Sequence, residues 1–141
     1  MNTKRKTIEM KDRKVILSTL WIFAELNYLY ADVMGGKDPE AVKQLISGNV
    51  GALQMTEGFL LGAAILMETS IVMVLLSRVL KYRANRWANI IAAIINTVAV
   101  SVSLFATGIT PTLYYLFFAA IEIPCTLFIL WYAWKWTNPE G

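Results

Sequence analysis

A chain of 141 residues has room for one domain, and at 57% hydrophobic with a mean hydropathy of +0.52 it is too apolar for a soluble fold of that size. The formal charge of +3 comes from basic residues that flank apolar runs, so it reports topology and contact with anionic headgroups rather than a nucleic-acid partner. With no histidine and one cysteine, the usual ligands of haem, zinc and copper are missing, as are an intrachain disulfide and CxxC thiol chemistry, and no cofactor is implied.

A bilayer core about 30 Å thick needs roughly 20 apolar residues per helix. Four such runs follow in chain order, 15–34, 57–77, 87–107 and 112–134. The expected fold is all-α: a bundle of four transmembrane helices over 15–136, preceded by a basic segment, 1–14, and followed by a short tail, 137–141. The alternation of a barrel strand is absent, so no strand is expected. The first run is too long for a signal-peptide core, contains acids and lacks a small-x-small cleavage site, and it is read as a span.

The loops orient the bundle. Lys4, Arg5, Lys6, Lys11, Arg13 and Lys14 precede the first span, and Arg78, Lys81, Arg83 and Arg86 lie between the second and third. The first loop has only Lys37 and Lys43, and the third, "TGITPT", has no basic residue. By the positive-inside rule both termini are cytoplasmic, with Trp87 and "WYAWKW" (131–136) as aromatic anchors at that face. In "GGKDPEAVKQLISGNVG" an Asp38 N-cap and Pro39 at the first helical position precede Ala41, Val42, Leu45 and Ile46 on one face. This predicts a short amphipathic helix on the outer surface. The brevity of the third loop makes the last two spans antiparallel neighbours.

Polar residues inside the spans carry the functional signal. Positions seven apart on a helix nearly coincide, so Ser18, Glu25 and Asp32 share a face of the first span, with Trp21 and Tyr28 beside them. Glu57 and Glu68, eleven apart, share a face of the second; Asn89, Asn96 and Ser103 line the third; and Glu122, two residues before Pro124, is the single acid of the fourth. Counted from the span ends, Glu25, Glu68, Asn96 and Glu122 fall near the midplane, and Asp32 and Glu57 near the outer surface as an entrance. Carboxylates facing lipid would be costly, so the midplane acids are expected to converge inside the bundle. Two of them about 7 Å apart would repel by roughly 2 kcal/mol, and no Lys, Arg or His shares their depth. The cluster should therefore keep protons at neutral pH or hold a cation. Each residue also has a structural reading: Glu57 as a favourable charge at a helix start, Asn96 as an interhelical hydrogen-bonding residue, Asp32 paired with Lys37 or water, and Tyr28, Tyr114, Tyr115, Met67, Met73 and Cys125 as packing or interfacial residues.

The runs "STLWIFAELNYLYADV", "TEG", "LLSRVLKYRANRWANII", "ATG", "FFAAIEI" and "WYAWKW" together resemble a family of small bacterial four-helix membrane proteins catalogued as a domain of unknown function. The basic loop with its embedded Asn85-Arg86-Trp87 is the most specific part. The resemblance implies four spans in a bacterial inner membrane and carries over no activity or catalytic residue. Function therefore rests on the residues. The first reading is a small carrier or binding protein for a proton, a metal cation or an organic cation, whose narrow four-span pathway a homodimer would widen. An accessory membrane subunit comes second. A membrane enzyme using Glu25, Glu68 or Glu122 as acid and base on a lipid-like substrate comes third, because neither a nucleophile and base pair nor a cofactor signature is present.

Overall fold

In the computed structural model, which describes residues 2–106, 108 and 110–137, the helix ends fall where the sequence supplies caps and glycines. Helix α1 (Asn2–Gly35) runs without a break through the basic segment and the first apolar run, and ends where the Gly36 N–H bonds the Asp32 carbonyl at 2.9 Å. Helix α2 (Pro39–Ile46) starts from Asp38, whose carboxylate accepts the Glu40 N–H at 3.1 Å, with proline in the first turn where no N–H is needed. Helix α3 (Glu57–Val79) starts from Thr56, whose hydroxyl accepts the Phe59 N–H at 3.2 Å. Helices α4 (Tyr82–Ala106) and α5 (Leu113–Trp134) complete the set.

Two expectations need correction. Strands β1 (Asn49–Val50) and β2 (Leu53–Gln54) pair antiparallel, although none was expected. Two residues per strand are too few to display an alternating pattern, and the turn between them is set by Gly51 at φ 58°, a region glycine enters without steric cost. The second correction concerns span count. Among the described residues three helices, α3, α4 and α5, are long and apolar enough to cross a membrane, rather than four. Helix α1 falls short because Glu25, Asn27 and Asp32 interrupt its apolar half and charged residues fill its first turns.

The four long helices pack in a ring, α1 against α3 and α5, and α4 against α3 and α5. What each helix turns inward is unusual for a protein in water. Helix α3 buries Ser70, Met73 and Ser77 while Leu60, Leu61, Ile65, Ile71, Leu75 and Val79 stay exposed. Exposed apolar residues with buried serines and asparagines suit a hydrocarbon solvent, in which helix association relies on small residues, interhelical hydrogen bonds and packing. An apolar layer of Leu17, Trp21, Ala24, Met73, Ile90, Ala93 and Ile129 fills the interior around those polar groups.

One end of the ring is tied by basic and aromatic residues. Lys14 Nζ donates to the Leu80 carbonyl at 2.6 Å, beyond the last turn of α3, and Arg13 Nη1 donates to the Tyr132 carbonyl at 3.5 Å on α5. Tyr82 Oη donates to the Trp136 carbonyl at 2.6 Å, and Arg86 Nη2 to the Trp134 carbonyl at 3.0 Å. At the opposite end Tyr114 Oη donates to Asp38 Oδ2 at 3.3 Å, joining the start of α5 to the cap of α2.

Candidate functional site

Ser18, Trp21, Glu25, Tyr28 and Asp32 recur at steps of three and four residues, so they form one seam along α1. The half of the seam toward the basic end is closed by hydrogen bonds. Ser18 Oγ donates to the Val74 carbonyl at 2.9 Å and receives the Arg78 Nε–H at 3.0 Å. Trp21, 0% exposed, donates its indole N–H to Asn89 Oδ1 at 2.7 Å, and Ser77 Oγ donates to the same oxygen at 3.1 Å. Asn89 Nδ2 donates to the side chain and the carbonyl of Asn85, and Asn85 Nδ2 donates to the Ser77 carbonyl at 2.6 Å. One level further on, Ser70 Oγ donates to Asn96 Oδ1 at 3.0 Å, Asn96 Nδ2 donates to the Ala92 carbonyl at 2.9 Å, and Thr97 and Thr126 join α4 to α5 at 2.8 Å.

Past that level the pattern changes. Glu25 Oε2, Tyr28 Oη and Glu122 Oε1 are buried, and none has a hydrogen-bond partner among the described residues. The whole Glu122 residue is 5% exposed. Tyr28 lies within electrostatic reach of Glu122, Cys125 and Glu25, and Asp32 within reach of both glutamates. An orphaned buried polar group costs about 1–3 kcal/mol, more when charged, so three on adjoining helices, with Tyr28 in reach of both glutamates, are a concentrated cost. No cation of the chain offsets it: among the described residues the one ion pair is Arg5–Glu9, at 3.7 Å on α1. Above the cluster, Ser103 and Tyr115 share a hydrogen bond of 2.7 Å, and Tyr115 is within reach of Glu122 and Asp32.

The six residues singled out in the sequence divide accordingly. Glu25 and Glu122 are each within electrostatic reach of Tyr28 and of Asp32, which is exposed toward the end of α1, and neither glutamate is within such reach of the other. Glu68 is within electrostatic reach of Glu25 but is exposed on α3, whose buried face carries Ser70 and Ser77 instead. Asn96 is buried, accepts from Ser70 and donates to the Ala92 carbonyl. Glu57 is exposed in the first turn of α3, apart from the cluster. Lys37 forms no ion pair with Asp32 among the described residues. The Tyr28 ring packs against the apolar core as expected, and its buried hydroxyl, with no partner among the described residues, adds a polar group that the packing reading did not include. Asn85 and Ser77, which complete the closed half, carried no separate signal, since serine and asparagine at helix ends usually serve as caps.

Two carboxylates and a phenol can share protons or surround a small cation with oxygens. A hard divalent metal takes six or more oxygen ligands, and among the described residues no three Asp, Glu, Cys or His side chains gather as a metal set. Comparison with known proteins adds the last observation. A family model described as a family of unknown function, DUF6326, matches residues 6–140. No curated protein matches the chain, and no solved structure does.

Proposed function

We propose a role for the chain as a member of DUF6326, the family of unknown function to which it belongs: an integral membrane protein that takes up a proton or a small organic cation at the Glu25, Tyr28 and Glu122 cluster. The supporting observation is the trio of buried, unpartnered oxygens contributed by α1 and α5. A single proton on either carboxyl turns one acceptor into a donor for its neighbour, and an organic cation would satisfy both carboxylates against the tyrosine ring. Asp32, exposed above the cluster, is the entrance.

In this reading α1 crosses the membrane as a fourth span. Average hydropathy understates it because its polar residues lie on the seam, while Ile22, Phe23, Leu26, Leu29 and Val33 are exposed and would meet lipid. Both termini then lie in the cytoplasm on the side of the basic end, α2 rests at the outer interface, and the membrane is a bacterial inner membrane.

The test is infrared difference spectroscopy of the protein in micelles between about pH 5 and pH 9, a range that perturbed carboxyls can reach. A protonated-carboxyl C=O band should vanish on alkalinisation, and should be missing from Glu122→Gln or Glu25→Gln. A quaternary ammonium series provides the second arm: by linkage, a cation at about 100 times its dissociation constant adds roughly 2.7 kcal/mol of stability. Absence of the band together with absence of cation stabilisation sinks the proposal and leaves the accessory role.

A further inference from the structure

A second site lies at the other end of the helices and shares no residue with the first. Between the start of α4 and the end of α5 the surface opens into a cleft of about 880 Å³. Its lining includes Arg83, Arg86 and Lys135 together with Trp87, Trp134 and Trp136, and no carboxylate of the described residues. The back of the cleft is fixed by Tyr82, which donates to the Trp136 carbonyl and meets its ring edge-on at 5.3 Å between centroids.

Arg86 is held in a defined pose. One nitrogen donates to the Trp134 carbonyl at 3.0 Å, and the guanidinium lies 5.8 Å from that residue's ring centroid. Its Nε, though buried, has no acceptor among the described residues. Lys135 Nζ sits 4.9 Å from the Trp131 ring centroid, which leaves all three of its N–H groups without an acceptor among the described residues. Arg83 and Arg86 also stand on the first turns of α4, whose amino end carries the positive pole of the helix dipole. Three cations converge on one space with unspent donors. The chemistry that meets them is a compact, multiply accepting anion, for which a phosphate oxygen set is the best geometric match to guanidinium.

We propose that this cleft binds a phosphate group, at the membrane surface the phosphodiester of an anionic lipid headgroup. The walls favour the lipid source. Trp87 and Trp134 are 56% and 60% exposed, and amphipathic rings of this kind sit at headgroup level. A lone phosphate would leave nearly all of about 880 Å³ to water, whereas a glycerophosphoryl headgroup fills more of it and leaves room for the start of its acyl chains.

The experiment compares phosphatidylglycerol, phosphatidylcholine and inorganic phosphate as ligands of the full chain in neutral detergent, read by retained adducts in native mass spectrometry and by thermal shift. The variant Arg83→Gln/Lys135→Gln removes two cations while keeping the Arg86 and Tyr82 bonds that hold the cleft together. The variant Lys4→Gln/Lys6→Gln/Lys11→Gln removes charge elsewhere at the same end. Phosphatidylglycerol should bind in preference to phosphatidylcholine, weaken roughly tenfold in the cleft variant and be unaffected by the amino-terminal one. Binding of inorganic phosphate alone, with the same sensitivity to the cleft variant, supports the site with a soluble phosphate as its source. Equal binding of the two lipids, binding of neither lipid nor phosphate, or an equal loss in the amino-terminal variant overturns it.

Discussion

Along α1 a single seam meets two different fates. Toward the basic end, Ser18 and Trp21 find partners on α3 and α4, and the hydrogen bonds run through Asn89, Asn85 and Ser77 until each group is answered. Toward the other end, Glu25 and Tyr28 on α1 and Glu122 on α5 each bury an oxygen, and the three groups answer none of one another's needs in this arrangement. The helix and its residue spacing are the same in both halves. The difference lies in the chemistry of what α1 meets: amides and hydroxyls offer donors and acceptors at once, whereas ionised carboxylates offer only acceptors. A closed polar set specifies one packing. An open one needs something that the protein does not supply, and that need separates a binding site from a structural contact.

The sharpest way to break this contrast is to damage the closed half. Asn89→Leu would leave the indole N–H of Trp21, the Ser77 hydroxyl and Oδ1 of Asn85 without these partners, and at about 1–3 kcal/mol for each orphan it should be the most destabilising of these changes. Thermal or denaturant unfolding in micelles measures this. Ser70→Ala removes one donor from Asn96 and should cost less, about 0.6 kcal/mol, in line with single interhelical hydrogen bonds in membranes. Smallest of all should be Glu122→Gln, which keeps the shape and replaces an unpartnered oxygen; its stability should stay within about 1 kcal/mol of the parent while proton exchange is lost. If Glu122→Gln unfolded the protein as readily as Asn89→Leu, the two halves would be alike and the open cluster would be a structural contact. Glu68→Gln sharpens the same comparison, because an exposed acid outside the cluster should change neither stability nor exchange.

Much of this was legible in the sequence. Heptad spacing correctly put Ser18, Glu25 and Asp32 on one seam, and it aligned Asn89, Asn96 and Ser103, all of which reach polar partners in the structure. What spacing could not decide was which face of α3 turns inward, because that helix has two polar faces, Glu57 with Glu68 and Ser70 with Ser77. The serines are the ones buried: they are small enough for close helix approach and they donate to the asparagines of α4. The run 15–34 read as a fourth span failed for α1 because Glu25, Asn27 and Asp32 lower its average, leaving three span-like helices among the described residues.

The bonds that Arg13 and Lys14 make to α5 and to the chain just after α3 have a mechanical consequence. They fix α1 at one level with respect to both neighbours, so it cannot slide along its axis without breaking them. A motion that preserves them is a tilt about that level, with the unbroken helix acting as a lever. At 1.5 Å per residue, Asp32 lies about 27 Å along the arm from Lys14, and a rotation of about 3° there carries it roughly 1.4 Å, close to half the width of a water molecule. Trp21, nearer the pivot, moves less than half as far, a displacement that its hydrogen bond to Asn89 can follow. With the basic end fastened, such a tilt acts at the end where Asp32 stands, and there the Tyr114 bond to Asp38 is the contact that it would strain.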